Sequence, residues 1–152
     1  MVLIDTDVLL VEFRYLRDTR FQTNSSFLSR VRASEPCITI YNLMEFLGQM
    51  SFNMASDKLA DWDRWLEDEY GLSIVWPETR GLDAAGFFRM EIYGRPFSRM
   101  LGGNGMAFGD ALVIVLGERT SGIDALVTWN ARHFRGKTTL NVLTPQEYVQ
   151  SL

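Results

Sequence analysis

The stretch VLIDTDVLL, residues 2–10, sets valine, leucine and isoleucine on both sides of two aspartates, Asp5 and Asp7. Apolar, β-branched runs of this kind form buried strands. A carboxylate taken out of water without a partner costs several kcal/mol or surrenders its charge. The strand MVLID therefore ends on a group that needs a partner from elsewhere in the chain.

The 152-residue chain is 47% hydrophobic. That supports one buried core and is too short for two ordinary domains, so residues 1–152 are expected to form one domain. The longest apolar run, ALVIVL at 111–116, is far shorter than a membrane span, and the first residues lack the basic region of a secretory leader. A cytoplasmic protein with no membrane partner is expected. The one cysteine, Cys37 in PCITI, reads as a small strand hydrophobe and suits a reducing compartment.

A net charge of −4 argues at first against nucleic acid. The whole deficit sits in DKLADWDRWLEDEY, residues 57–70, where six acids face two bases. Elsewhere acids and bases balance, and arginines cluster at Arg14, Arg17 and Arg20 and again at Arg89, Arg95 and Arg99. Basic patches are therefore compatible with the charge, although solvated helix faces are the plainer reading of both groups.

Strands and helices alternate along the chain. After MVLID, VEFRYLRD begins a short helix, and NSSFLSRVRAS, 24–34, reads as a second, capped by Asn24 or Ser25 and stopped before Pro36. CITIY is a strand; the helix after it carries Leu43, Leu47, Met50 and Met54 on one stripe. The acidic segment reads as one amphipathic helix with Leu59, Trp62, Leu66 and Tyr70 inward. Trp62 and Trp65 suit a core or partner contact better than a base-stacking platform. LSIVW is a strand, ETRGLDAAGFFRMEIYG is helical up to Gly94, and RPFSRMLGGNGMAFG is irregular, its Gly102, Gly103 and Gly105 allowing close backbone approach. The helix DALVIVLGERTSG, the strands ALVTW and TLNVL, and a last helix capped by Thr144 with Pro145 at its start complete the order. This alternation predicts an α/β fold: three layers, α/β/α, around a mostly parallel, Rossmann-like sheet.

In such sheets ligands bind at the carboxyl ends of the strands. Asp5 ends the first strand, Glu45 lies early in the helix after the second, Asp110 opens the helix DALVIVLG, and Asn130 follows ALVTW. Taken singly, each has an ordinary explanation: Asp110 caps a helix, Glu45 is a surface residue, Asn130 sits in a turn, and His133 is a turn residue rather than a general base. Together they bring three carboxylates and an amide to one sheet edge. Crowded carboxylates call for a cation, and oxygen donors without a cysteine or histidine cluster favour Mg²⁺ or Mn²⁺.

VLIDTDVLL, Glu45 in YNLMEFL, Asp110 in FGDALVIVLG and LVTWNARHF together resemble the successive motifs of PIN-domain ribonucleases, most closely the VapC-type toxins of toxin–antitoxin pairs. The resemblance runs from residue 2 to about 143. It implies the PIN-domain fold, Mg²⁺-dependent endoribonuclease activity, a homodimer, and a small antitoxin protein in the active-site groove. Asp5, Glu45 and Asp110 match the acidic triad that holds the metal, and Asn130 completes the catalytic set. Thr6, Asp7 and Thr128 are auxiliary, and Arg95 and Arg99 are candidate contacts to RNA phosphate. The chain departs from the pattern at Asp7, where asparagine is more usual, and at His133, where an aspartate is common. Two other readings compete: a PIN-like binding module without activity, and a haloacid-dehalogenase-like phosphatase. The phosphatase needs a lysine and a later paired acid, but the only lysines are Lys58 and Lys137, and Ile114 stands four residues after Asp110.

Overall fold

The computed structural model describes residues 1–102 and 105–152, with the Ser56 side chain left out. Five short strands form the sheet: β1 (Val2–Ile4), β2 (Pro36–Thr39), β3 (Ser73–Val75), β4 (Ala125–Val127) and β5 (Asn141–Leu143). Their order is β3-β2-β1-β4-β5, and every neighbouring pair is parallel. The three central strands are buried along their whole length. Their side chains alternate between two apolar layers, with Val2, Ile4, Ile38 and Val127 on one face and Leu3, Cys37 and Leu126 on the other.

The first face is covered by α1 (Thr6–Phe13), α2 (Phe21–Val31), α3 (Ile40–Ser51), α5 (Trp62–Tyr70) and α10 (Pro145–Ser151). The second is covered by α8 (Phe108–Arg119) and α9 (Ala131–Phe134). The expected three-layer α/β/α architecture is the one observed. Among the described residues, no helix is long and apolar enough to cross a membrane.

The chain leaves β1 toward β2 and β3, then returns to the other side of β1 to form β4. The order therefore reverses between β1 and β4, which opens a crevice at their carboxyl ends. Asp5 follows β1 and Thr128 follows β4, so both stand at that point.

Several boundaries differ from those read in the sequence, each for a local reason. Asp5 caps α1 by accepting from the Thr6 N–H, so the helix starts five residues earlier than expected and ends at Phe13. Thr39 and Asn42 form a capping box that draws Ile40 and Tyr41 out of the predicted strand and into α3. Asn24 does not cap α2, which begins at Phe21; it is buried inside the helix. The acidic segment is split into α4 (Ser56–Leu59) and α5 by a break at Ala60–Asp61. Trp62 packs against Phe13 and Phe46 within the molecule, so it is a core residue, while Trp65 stays partly exposed.

The largest correction concerns residues 78–107. Helix does not begin until α6 (Ala84–Phe87), capped by Asp83. It then runs through a π-helical turn, Phe88–Gly94, directly into α7 (Arg95–Leu101), where an irregular stretch was expected. Pro96 does not interrupt this run. It sits at the start of α7, where its missing N–H is no loss. Gly94 admits the π turn, since a Cβ there would meet the Arg89 carbonyl oxygen at 2.9 Å. Gly102 and Gly105 flank the segment after α7; Gly103 lies outside the described residues.

Gly117 shows how tightly α8 meets the sheet. A Cβ at this position would stand 2.7 Å from Cδ2 of Leu3, which is fully buried. Gly117→Ala is expected to destabilise the fold by about 1–3 kcal/mol, read from the midpoint of urea denaturation.

Candidate active site

Asp5 lies where the sheet order reverses. Its backbone N–H donates to the Val127 carbonyl at 3.0 Å, which fixes the residue against the end of β4. Its carboxylate accepts from the Thr6 N–H (2.8 Å), the Thr128 hydroxyl (2.8 Å) and the Asn42 amide (3.3 Å). Three elements therefore hold one half-buried carboxylate. The charge itself is not neutralised by these contacts. Burial, the charge of Asp7 and, more weakly, that of Asp110 push Asp5 up to about 8, against the pull of Thr128 and Thr6.

Glu45 lies on the exposed face of α3 and accepts from the Thr6 hydroxyl at 2.7 Å. That hydroxyl accepts in turn from the Asn42 amide at 3.2 Å, so Thr6 and Asn42 link Asp5 to Glu45. Asp110 stands in the first turn of α8, in the opposite helical layer. Burial pushes Asp110 up; His133 opposes this, the Glu45 charge adds to it, and Lys137 opposes it more weakly. The charge of Asp110 thus bears on Asp5, and that of Glu45 on Asp110.

Asp7 does different work. Its carboxylate accepts from the backbone N–H groups of Trp129 (3.1 Å) and Asn130 (3.0 Å) and from the Thr128 hydroxyl (3.1 Å). It ties down the turn after β4 and so holds Thr128 against Asp5. Burial raises its pKa despite these bonds. Asn130 contributes its backbone N–H to this turn, while its residue is exposed. Arg95 and Arg99 stand on α7, Arg95 against Glu91 at 3.2 Å and Arg99 paired with Glu118.

Two residues of the site escaped the sequence reading. Asn42 is fully buried and touches both Asp5 and Thr6; the signal was its place three residues after Thr39, the spacing of a capping box. His133, the single histidine of the chain, places Nε2 3.1 Å from Oδ2 of Asp110. It had been read as a turn residue, and no local pattern in the sequence links it to Asp110.

Among the described residues, no group of three or more His, Cys, Asp or Glu side chains forms a ready-made metal cage. The donor chemistry fits a hard cation all the same. The acids offer oxygen donors, their mutual repulsion is relieved by positive charge, and His133 is the one basic group in contact with the triad among the described ion pairs.

No family model matches the chain, and no curated protein matches its sequence. Solved structures do. The chain superposes over 96% of its length on 96% of a chain in the structure of FitAB bound to an IR36 DNA fragment, with a TM-score of 0.58 and 14% identity. It also superposes over 95% of its length on 98% of a chain of FitAcB from Neisseria gonorrhoeae, with a TM-score of 0.60 and 18% identity. The likeness is one of fold. It spans nearly the whole of both chains.

Proposed function

We propose that the chain is a Mg²⁺-dependent endoribonuclease, with Mn²⁺ as an alternative ion, and the toxin of a toxin–antitoxin pair. The observation that carries this reading is that Asp5, beside the point where the sheet order reverses, is joined to Glu45 through Thr6 and Asn42, while Asp110 bears on Asp5 and Glu45 on Asp110 through their charges. The motifs of the sequence and the fold shared with a chain of FitAB support the toxin reading and, with it, a small protein partner.

Asp5, Glu45 and Asp110 would hold the ion. When bound, it supplies a more acidic water and neutralises charge on the scissile phosphate. The remaining work falls to the chain itself. Asn42, Thr6 and Thr128 fix the rotamers of Asp5 and Glu45, and Asp7 keeps Thr128 in reach. Lys137 brings positive charge toward Asp110, and His133 sets its Nε2 3.1 Å from the Asp110 carboxylate, so both are at hand for a phosphodiester bound there. The phosphatase reading asks Asp7 to act as a free acid/base, whereas three donors of the turn after β4 occupy it.

The test is incubation of the purified protein with total RNA in Mg²⁺ or in chelator, with the cut ends mapped. Discrete cuts that vanish in chelator are expected. Intact RNA in Mg²⁺, or cuts that persist at the same rate in chelator, would refute the reading.

A further inference from the structure

Along α7 and α8 lies a cavity of about 970 Å³ whose lining includes Arg89, Arg95, Arg99, Arg119 and Lys137. Two carboxylates answer these five cations. Glu91, buried, pairs with Arg95 and Arg119, and Glu118 pairs with Arg99. Glu118 is further occupied by the Thr138 hydroxyl (2.8 Å) and the Thr139 N–H (2.9 Å). Arg89, which is exposed, and Lys137 have no carboxylate partner among the described ion pairs. The wall of the cavity is thus cationic by about three charges, in a chain whose net charge is −4.

Position gives this surplus a meaning. The cavity is bordered by Gly105 and Met106, which lead into the helix carrying Asp110, and by Gly136 and Lys137, which follow the helix carrying His133. The Lys137 ammonium donates to the Gly105 carbonyl at 2.8 Å and so joins the two borders. A strand whose scissile phosphate sits at Asp110 would pass these borders on its way out. Met90, Met106 and Val115 add apolar lining, suited to a ribose or a base.

We infer that this cavity is a subsite for the RNA strand flanking the scissile bond, with Arg89 and Lys137 contacting a phosphate while Arg95, Arg99 and Arg119 are held in place by Glu91 and Glu118. The inference rests on the nuclease reading for its ligand and differs from the sequence expectation, which assigned phosphate contact to Arg95 and Arg99. Guanidinium groups already paired with carboxylates shape the wall; the unpaired cations are the ones available to a new anion.

The test is equilibrium binding of a fluorescently labelled, single-stranded RNA oligonucleotide to the full chain in chelator, where binding is read apart from cleavage. Arg89→Ala is expected to raise Kd about three- to tenfold and Arg89→Glu more. Arg89→Ala is also expected to lower the slope of log K against log salt by about 0.7, the share of one phosphate contact on a single strand. Arg30→Glu, on the exposed end of α2, changes net charge equally and controls for long-range attraction. Unchanged Kd in both Arg89 variants, or an equal loss in Arg30→Glu, would overturn the subsite. So would loss of labelled polyglutamate binding in Arg89→Glu with RNA binding unchanged, which would assign the cavity to an acidic protein segment. RNA binding that depends on Arg89 in a protein that cuts no RNA would uphold the subsite and refute the nuclease.

Discussion

Asp5→Asn is expected to lower RNA cleavage on the order of a thousandfold while making the metal-free protein more stable. Both effects have one origin. The unfolded carboxyl ionises near 3.8, whereas the folded one is pushed up to about 8 by burial and by Asp7. Between those values the folded state keeps a proton that the unfolded state has lost. Stability of the metal-free protein therefore falls as pH rises through this window, and the raised carboxyls of Asp7 and Asp110 add to the fall. An amide at position 5 removes the largest contributor. Urea denaturation in chelator is expected to show a gain of roughly 1–3 kcal/mol at pH 7, shrinking toward pH 5. A loss of stability at pH 7, or an unchanged cleavage rate, would contradict the assignment of Asp5.

Asn42→Ala is expected to act in the opposite direction on stability. The side chain is fully buried, completes the cap of α3 with Thr39, and donates to Asp5 and Thr6. Removing it loses the cap and leaves buried hydroxyl and carboxylate groups short of a donor, at a cost of about 2–4 kcal/mol. Cleavage by the folded variant is expected to fall about 10- to 100-fold, because Asp5 and Glu45 lose the group that links them. Circular dichroism at the assay temperature separates this from simple unfolding. Parental activity in Asn42→Ala would mean that Thr6 and Thr128 suffice to hold the two acids.

The layer order was legible because it follows from patterns that short segments carry. Residues 2–10 combine a buried strand with two acids, and that combination makes sense only at the carboxyl edge of a sheet. The proposed acidic triad came from the same reasoning; Asp110 bears on Asp5 and Glu45 on Asp110 through their charges. What stayed hidden depends on tertiary contact. The stretch from Arg95 reads as irregular for its glycines until a π turn runs straight into a new helix, so α7, the cavity wall and its arginines were invisible as a unit. His133 gains its meaning only because α9 folds back over the start of α8, bringing it to Asp110 across 23 residues. Asn24 looked like a helix cap. Its amide instead donates to Val8 and Glu12 and its oxygen accepts from the Trp129 indole, a buried link between α2, α1 and the turn after β4.

The account depends on Asp5, Glu45 and Asp110 sharing one cation. Calorimetric titration of Mg²⁺ into the chelator-stripped protein, repeated on Asp5→Asn, Glu45→Gln and Asp110→Asn, tests this most directly. Saturable binding by the parent that is lost in Asp5→Asn and weakened at least about tenfold in the other two is the predicted result. Equal Mg²⁺ affinity in the parent and Asp5→Asn, or no binding by the parent, would contradict it.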